Sequence, residues 1–444
     1  MMENTDTLNW LKSIRDSLRA SQCEFVYEQQ RIGLTRFASN RIHQVSETEH
    51  RILTVRKVVE GKLGTYSTTR FDQDSISHAL RHATCLASLL PKAETPVELA
   101  EEGHGIFTKA LDWKTAHLQP FERAHIVSSV LSRRSCSDDE LSGALITSHE
   151  IVSVVNTEGT ETLEERSTVT FNLVAQRGKW SARSYWAGWR IDDLPLEQLC
   201  KEVSLANREE EIVRPSEVPG DLPVLLDYLA VGQLVGFLGY IAFGAKAFLD
   251  GTSFLQQSLG QKVCSDQISL YEDPESVIPV GFDYEGVPRK HVTLIDNGIA
   301  RGLVTDKMTA KQLELATTGN APSPDSVEGP QPERLVLKPG DSTFPSMLSR
   351  VEKGIYVRDL HYVNVAEPLS TTITGMTRHG TFLIRQGELT NRLPDLRFQV
   401  RILDVLDSVL ALGSSPRPAE GVTGFCLVPP LLCERFQFTG ATSE

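Results

Sequence analysis

The middle of this sequence lacks charge. From Tyr228 to Ala245, eighteen consecutive residues include no acidic or basic side chain, no histidine and no cysteine. This length is at the lower limit for a membrane-spanning helix, about 18 residues. However, four glycines and Gln233 dilute its hydrophobicity, and no basic cluster flanks it. The pattern therefore predicts a helix buried on most sides within a large domain, and we expect no membrane span.

Basic residues and paired cysteines are also scarce. The net charge is −13 at pH 7 and no basic stripe offsets it, which argues against a nucleic-acid partner. The seven cysteines are odd in number, widely scattered and without a CxxC pair. This usage is typical of reduced thiols in a cytoplasm. The first residues form no basic segment followed by an apolar one, so we expect a cytoplasmic protein without a signal peptide.

The length of 444 residues predicts two domains. We place the boundary in the proline-rich segment Val213–Pro223, giving domains 1–215 and 216–444. The first is expected to be α+β, since apolar periodicity alternates between helical and strand spacing. Helices are predicted near Leu8–Leu18, Ile76–Leu90 and Phe121–Ser132, and strands at Glu24–Gln29, Arg31–Gln44, Arg51–Val59, Leu63–Thr68, Leu145–Val155 and Ser167–Gln176.

The second domain is predicted to be mostly antiparallel β around the buried, glycine-rich helix. Two hairpins are indicated by their turns. One has the turn Asp296-Asn297-Gly298 between the strands 290–295 and 299–305. The other has Gln386-Gly387 between 380–384 and 388–390. The overall prediction is an α+β fold of two domains.

Candidate catalytic residues are few. His78 and His82 have the spacing of two metal ligands on a helix, but no third ligand is near in sequence, so solvated histidines are expected. His149-Glu150 begins like a zinc-helix motif but lies in a strand-like run. Cys426 and Cys433 are not in a zinc-ligand spacing. No nucleophile elbow, phosphate loop or dinucleotide fingerprint is present.

A groove is a weaker prediction. His361, Tyr362, Arg378 and His379 are polar or aromatic residues in the β-rich half and are candidates to line it, with exposed strand residues as the simpler account. The acids Asp283, Glu285, Asp296 and Asp306 fit turns and strand ends. The residues alone therefore indicate a two-domain α+β protein without a recognisable catalytic set.

A series of segments resembles the TldD/PmbA family, also called TldD/TldE or "modulator of DNA gyrase" proteins. The series begins with Thr35-Arg36-Phe37-Ala38-Ser39-Asn40 and Val155-Asn156-Thr157-Glu158-Gly159. It continues with Gly251-Thr252-Ser253, Asp283-Tyr284-Glu285-Gly286-Val287-Pro288, Thr317-Thr318-Gly319-Asn320, Gly354-Ile355-Tyr356-Val357 and Ile384-Arg385-Gln386-Gly387-Glu388. Each motif is weak alone, but their order and spacing hold over nearly the whole chain.

The resemblance implies a zinc peptidase relationship with the metal site missing. The family's active subunit carries an HExxxH helix and a late cysteine segment. Aligned on Gly251-Thr252-Ser253, the two histidines fall at Gly236 and Ile241 and the glutamate at Phe237, and none of these side chains binds zinc. The late cysteine segment is replaced by the residues after Gly413. The resemblance therefore implies the PmbA/TldE branch, with no metal or catalytic residue of its own.

Three functions remain open. The first is a non-catalytic TldE-like subunit that pairs with a TldD-like, zinc-bearing subunit and processes unfolded peptides, recognised by strand addition. The second is an independent or peptide-maturing enzyme of the same family, with a site near His361 and His379. The third is a homodimeric peptide-binding scaffold.

Overall fold

A computed structural model describes residues 4–92, 94–101, 103–133, 138–206 and 222–441. The first half forms a seven-stranded sheet in the order β3-β2-β1-β5-β6-β4, with β7 paired to β6. Its strands are β1 (Cys23–Ala38), β2 (Arg41–Val59), β3 (Lys62–Thr68), β4 (His104–Phe107), β5 (Glu140–Asn156), β6 (Glu161–Arg177) and β7 (Trp180–Gly188). Its helices are α1 (Asn4–Leu18), α2 (Gln73–Leu89), α3 (Trp113–Ala116), α4 (Pro120–Leu131), a 3-10 turn (Ile191–Asp193) and α5 (Leu196–Ala206).

The first hairpin differs from the sequence prediction. The sequence predicts a strand break near Gln30, but β1 is continuous and the chain turns at Ser39-Asn40, where Ala38 pairs with Arg41. Both turn residues have positive φ, 47° and 63°, as a two-residue hairpin of the primed type requires. The prediction failed because β1 passes from a buried to a half-exposed environment at its middle, which interrupts the apolar alternation without ending the strand.

The predicted helices of the first half are confirmed. In α2 the Asp72 side chain accepts the N–H of Ser75 as an N-cap. Ile76, Ala79 and Ala83 are buried in α2, and Leu11 of α1 is buried in the same cluster against β1 and β2. The amphipathic faces identified from periodicity are therefore the ones that cover the sheet.

The second half contains two sheets. Strand order in the eight-stranded sheet is β17-β20-β8-β13-β14-β16-β21, with β15 on β14, and the six-stranded sheet runs β11-β10-β9-β12-β19-β18. The strands are β8 (Val224–Leu226), β9 (Leu270–Glu272), β10 (Val292–Asp296), β11 (Ile299–Ala300), β12 (Arg334–Leu337), β13 (Lys353–Glu367), β14 (Thr372–Arg385), β15 (Glu388–Leu393), β16 (Leu396–Arg401), β17 (Val409–Leu412), β18 (Arg417–Glu420), β19 (Phe425–Val428), β20 (Leu431–Cys433) and β21 (Phe438–Ala441). The helices are α6 (Tyr228–Ala242), α7 (Ala245–Leu249), α8 (Leu255–Ser258), α9 (Lys307–Gln312), α10 (Phe344–Ser349) and α11 (Ile402–Asp407).

The uncharged segment is the central helix of this half. Helix α6 begins after Asp227, whose side chain accepts the N–H of Tyr228. It contacts β13 and β8 of the larger sheet and β18, β19 and β12 of the smaller one. Twelve of its fifteen residues are buried, so the helix has no polar stripe. The α+β prediction is confirmed, and no helix among the described residues is long and apolar enough to cross a membrane. The proposed domain boundary at 215/216 lies outside the described residues.

Buried charges join the two halves. Arg56 of β2 pairs with Glu24 of β1 at 2.6 Å and with Glu285 of the second half at 3.6 Å. Asp283, beside Glu285, accepts backbone N–H groups from Glu285, Val287 and Ala321. This confirms its expected turn role, while burial and the neighbouring Glu285 carboxylate raise the pKa of Asp283 to about 7.

Candidate functional site

The three positions aligned with the metal motif lie on α6 and carry no metal-binding atom. Gly236 has no side chain, Phe237 is a half-buried ring packed against the main core, and Ile241 is 6% exposed. A Cβ placed on Gly236 would lie 3.0 Å from the backbone nitrogen of Val422 and 3.1 Å from the Cα of Gly421. A methyl group would already press on that backbone, so an imidazole requires it to move.

The segment that replaces the late cysteine motif packs on this same face of α6. Two other glycines of α6 are packed as closely as Gly236. A Cβ placed on Gly232 would lie 2.4 Å from the side chain of Ala419, and one placed on Gly239 would lie 2.5 Å from the side chain of Leu335. The glycine stripe therefore lets the β18–β19 hairpin and β12 lie directly against the helix.

The nearby cysteines do not complete a zinc site. Cys426 and Cys433 are both buried, at 1% and 0% exposure, and burial raises the pKa of each thiol to about 12. A zinc ligand must be a thiolate, so these thiols are poor donors. Across the described residues, no group of three or more histidine, cysteine, aspartate or glutamate side chains is arranged to hold a metal. The described residues do not fit a zinc ion.

A salt-bridge network lies beside this closed site. Arg183 of β7 contacts Asp359 of β13 at 3.1 Å and Glu420 of β18 at 3.0 Å. The main-chain oxygen of Glu420 accepts a long 3.5 Å hydrogen bond from Gln233 of α6. One arginine therefore ties the first half of the chain to the helix face where the family's metal motif would be. Sequence inspection missed it, because the partners are 176 and 237 residues away from Arg183.

The four predicted groove residues are brought together on β13 and β14. The rings of His361 and Tyr362 lie 4.1 Å apart, and Tyr362 is 69% exposed. Arg378 is opposite Asp359 in the strand register, and Nδ1 of His379 is 2.9 Å from the Ser181 hydroxyl of β7. Burial and the nearby Arg183 and Arg378 lower the pKa of His379 to about 3. The residues form one cluster, while their role in a groove stays a prediction.

The low pKa of His379 predicts an acid-sensitive stability. The folded chain favours the neutral His379 ring, because the folded pKa is below the ordinary value of about 6.5. The contribution of this ring to the free energy of unfolding is therefore complete above pH 6.5 and is lost as the pH falls toward 3. Between pH 7 and pH 5 the loss is up to about 2 kcal/mol. We expect His379→Gln to show a smaller drop in urea-unfolding free energy over this interval than the parent chain. The exposed His43→Gln is the control, and parallel pH profiles for all three proteins would contradict the assignment.

The remaining histidine candidates, His78, His82 and His149, contact aromatic or carboxylate side chains. His78 and His82 lie with ring centroids 4.2 Å apart, and Tyr66 stacks on His82 at 4.9 Å. His149 is buried in β5 as expected and its Nε2 is 2.6 Å from the Glu165 carboxylate. The exposed pair on α2 agrees with the prediction of solvated histidines, and His149 agrees with the prediction of a strand.

Comparison with known proteins gives consistent matches. A family model described as the PmbA/TldA metallopeptidase C-terminal domain matches residues 219–440. A metalloprotease of Methanothermobacter thermautotrophicus is 28% identical over 208 residues, which cover 45% of each protein. A metalloprotease TldD homologue of Buchnera aphidicola is 24% identical over 328 residues, covering 68% of this chain and 66% of the relative. The matches thus span from about half to two thirds of these relatives' length.

Among solved structures, TldE from Thermococcus kodakarensis aligns with a TM-score of 0.87 over 97% of this chain and 99% of that one. Its sequence identity is 19%, so the likeness establishes the fold.

Proposed function

The chain belongs to the PmbA/TldD family, and on that premise we propose that it is the subunit of a two-component peptidase that carries no metal of its own. In this proposal a TldD-like partner supplies the zinc, which lowers the pKa of a bound water and polarises a peptide carbonyl. This chain supplies part of the wall of the chamber in which an unfolded peptide is bound.

The observation that carries the proposal is the packing at Gly236. The helix position aligned with the first histidine has no donor atom, and the backbone of Gly421 and Val422 occupies the adjacent space. A zinc peptidase needs three protein ligands and an open position for water. Neither is present on this helix face, whereas the helix and the fold around it are retained. Retention of the framework without its ligands is what a partner subunit would show.

The open face of the first sheet supports a chamber role. Gln30, Ile32 and Arg36 of β1 are half-buried or exposed, and along β5 and β6 the side chains at Ile146 and Thr170 on the same face are half-buried. This face leads to Arg183 and the His361 cluster. This half-exposed surface of mixed polar and apolar side chains is available to contact an extended peptide, whose backbone would be bound by strand addition at a sheet edge. The partner is therefore proposed to be a TldD-like subunit, with a second copy of this chain as the alternative.

The proposal is tested by separating the subunits. The purified chain, a purified TldD-like partner from the same cell and their mixture are each given a disordered peptide, and cleavage is followed by mass spectrometry. The expected result is no cleavage by this chain, weak or no cleavage by the partner and zinc-dependent cleavage by the mixture, with a complex of the two on a sizing column. Chelator-sensitive cleavage by this chain alone would favour an independent enzyme, and a stable homodimer that ignores the partner would favour a scaffold.

A further inference from the structure

An open face of the eight-stranded sheet carries two arginines and a histidine side by side. Met376 of β14 lies opposite His361 of β13 on one side and opposite Arg397 of β16 on the other. Arg378 is two residues from Met376 on the same strand. Directly opposed residues, and residues two apart in a strand, project from the same face. Arg397 is exposed, and Arg378 and His361 are half-buried on that face.

The two arginines differ from their neighbours in their ion pairing. Arg401, on the strand of Arg397, pairs with Asp404 at 3.5 Å, and Arg183 pairs with Asp359 at 3.1 Å. Within the described part of the chain, no carboxylate forms a salt bridge with Arg378 or Arg397. In a protein of net charge −13 this is a local cationic surface, which favours an anionic ligand.

Two acids lie beside Arg378: Asp359 is opposite it in the strand register and pairs with Arg183, and Asp395 is half-buried. Burial raises the pKa of the Asp395 carboxyl, and Arg378 and Arg392 act against that rise. Burial, with Arg378 and Arg183, lowers the pKa of His361, so its ring is neutral at pH 7 and can donate one hydrogen bond. An incoming carboxylate would meet two guanidinium groups and one imidazole.

Two β-bulges lie next to these side chains. The β13–β14 register shifts between Val357 and Asp359 and again between His361 and Asn364. The first bulge contains His379 with φ 61°, and the second contains Tyr362 with φ 49°. Positive φ is costly for such residues, and bulges of this kind redirect side chains next to binding sites. The first bulge adjoins Arg378 and the second adjoins His361.

We propose that His361, Arg378 and Arg397 form a subsite for a carboxylate of an extended peptide, against whose neighbouring side chain the exposed Tyr362 ring packs. The carboxylate belongs either to the peptide's C-terminus or to an aspartate or glutamate side chain. A polyanionic nucleic acid is disfavoured, because the chain carries a net charge of −13. The inference rests on the proposed peptide-chamber function and names what the chamber wall recognises.

The test is the binding of three dye-labelled versions of one short disordered peptide, followed by fluorescence anisotropy with the full chain alone and mixed with its TldD-like partner. One version has glutamates and an amidated end, one has glutamines and a free C-terminus, and one has glutamines and an amidated end. We expect one or both carboxylate-bearing peptides to bind more tightly than the neutral one. The variant Arg378→Gln/Arg397→Gln is expected to lose roughly tenfold of that affinity, as for charged hydrogen bonds at a half-exposed site, while binding of the neutral peptide is unchanged.

Arg385→Gln is the matched control, since Arg385 is an exposed arginine of the same strand opposite Lys353 and Glu388. Which of the two carboxylate peptides responds identifies the source of the carboxylate. The subsite is overturned if all three peptides bind normally and the double substitution has no effect. It is also overturned if the double substitution weakens binding of the neutral peptide equally. Either outcome leaves the chamber proposal standing. Failure of every peptide to bind, with or without the partner, overturns the chamber proposal and the subsite with it. Tighter binding of a single-stranded oligonucleotide than of any peptide, lost in the double variant, would overturn the choice of ligand.

Discussion

Replacing Gly236 with histidine is expected to lower the free energy of unfolding by roughly 3 kcal/mol without creating a zinc site. The cost arises because the new Cβ meets the backbone of Val422 and Gly421 at about 3.0 Å, and the ring extends further into the same space. That backbone belongs to the turn that joins β18 and β19, where Gly421 N–H donates to Gly424 O at 2.9 Å. A few tenths of a kcal/mol regained from replacing a helical glycine do not offset this overpacking.

The measurement is urea unfolding followed by circular dichroism, with zinc added or omitted. Gln233→His is the matched control, since it places the same side chain one turn earlier on α6 at a half-exposed position. We expect the control to change stability by less than about 0.5 kcal/mol. Adding Phe237→Glu and Ile241→His to Gly236→His still leaves the third ligand missing, so zinc should not restore stability. A zinc-dependent gain in the triple variant would show that the packing yields and that the site is only dormant.

Replacing Arg183 with methionine is expected to cost about 3 kcal/mol, the second large effect. The Asp359 side chain is 3% exposed, and burial already raises its pKa while Arg183 acts against that rise. Without the guanidinium, the carboxylate is left buried and must lose its charge or unfold the surroundings. Glu420, which is 58% exposed, keeps access to water, so its lost contact contributes little.

A double-mutant cycle separates this explanation from a simple loss of packing. In an Asp359→Asn background, Arg183→Met should cost less than about 1 kcal/mol, because no buried charge is left unpaired. Arg190→Met is the control, since Arg190 is 46% exposed and its contact with Asp193 is 3.7 Å long. Equal costs of Arg183→Met in both backgrounds would assign the effect to the arginine's aliphatic contacts.

Local patterns predicted most of the fold. The amphipathic helices α1, α2 and α4 follow from apolar spacing, and the Gln386-Gly387 turn, with φ of 51° and 77°, follows from turn chemistry. The hairpin at Asp296-Asn297-Gly298 was also correct in position, although its second strand is only Ile299–Ala300. Where prediction failed, as at the continuous β1, the missing information was burial, since a strand that crosses from core to surface has no single alternation pattern.

The site was less accessible to sequence inspection, for a physical reason. Polar residues in a β-rich segment mark His361, Tyr362, Arg378 and His379 as candidates, but their closeness depends on strand register and bulges. Arg183 and Glu420 carry no periodic signal, since a salt bridge between distant segments has no periodicity. The only available hint was that Glu420 lies in the segment that replaces the late cysteine motif.

The most direct measurement is the zinc content of the isolated, full-length chain, determined by plasma mass spectrometry after purification without chelators and again after exposure to excess zinc. The account predicts far less than one ion per chain in both samples, and one ion per pair when a TldD-like subunit is bound. One firmly held zinc per isolated chain, lost when Gly236 and its neighbours on α6 are substituted, would contradict it.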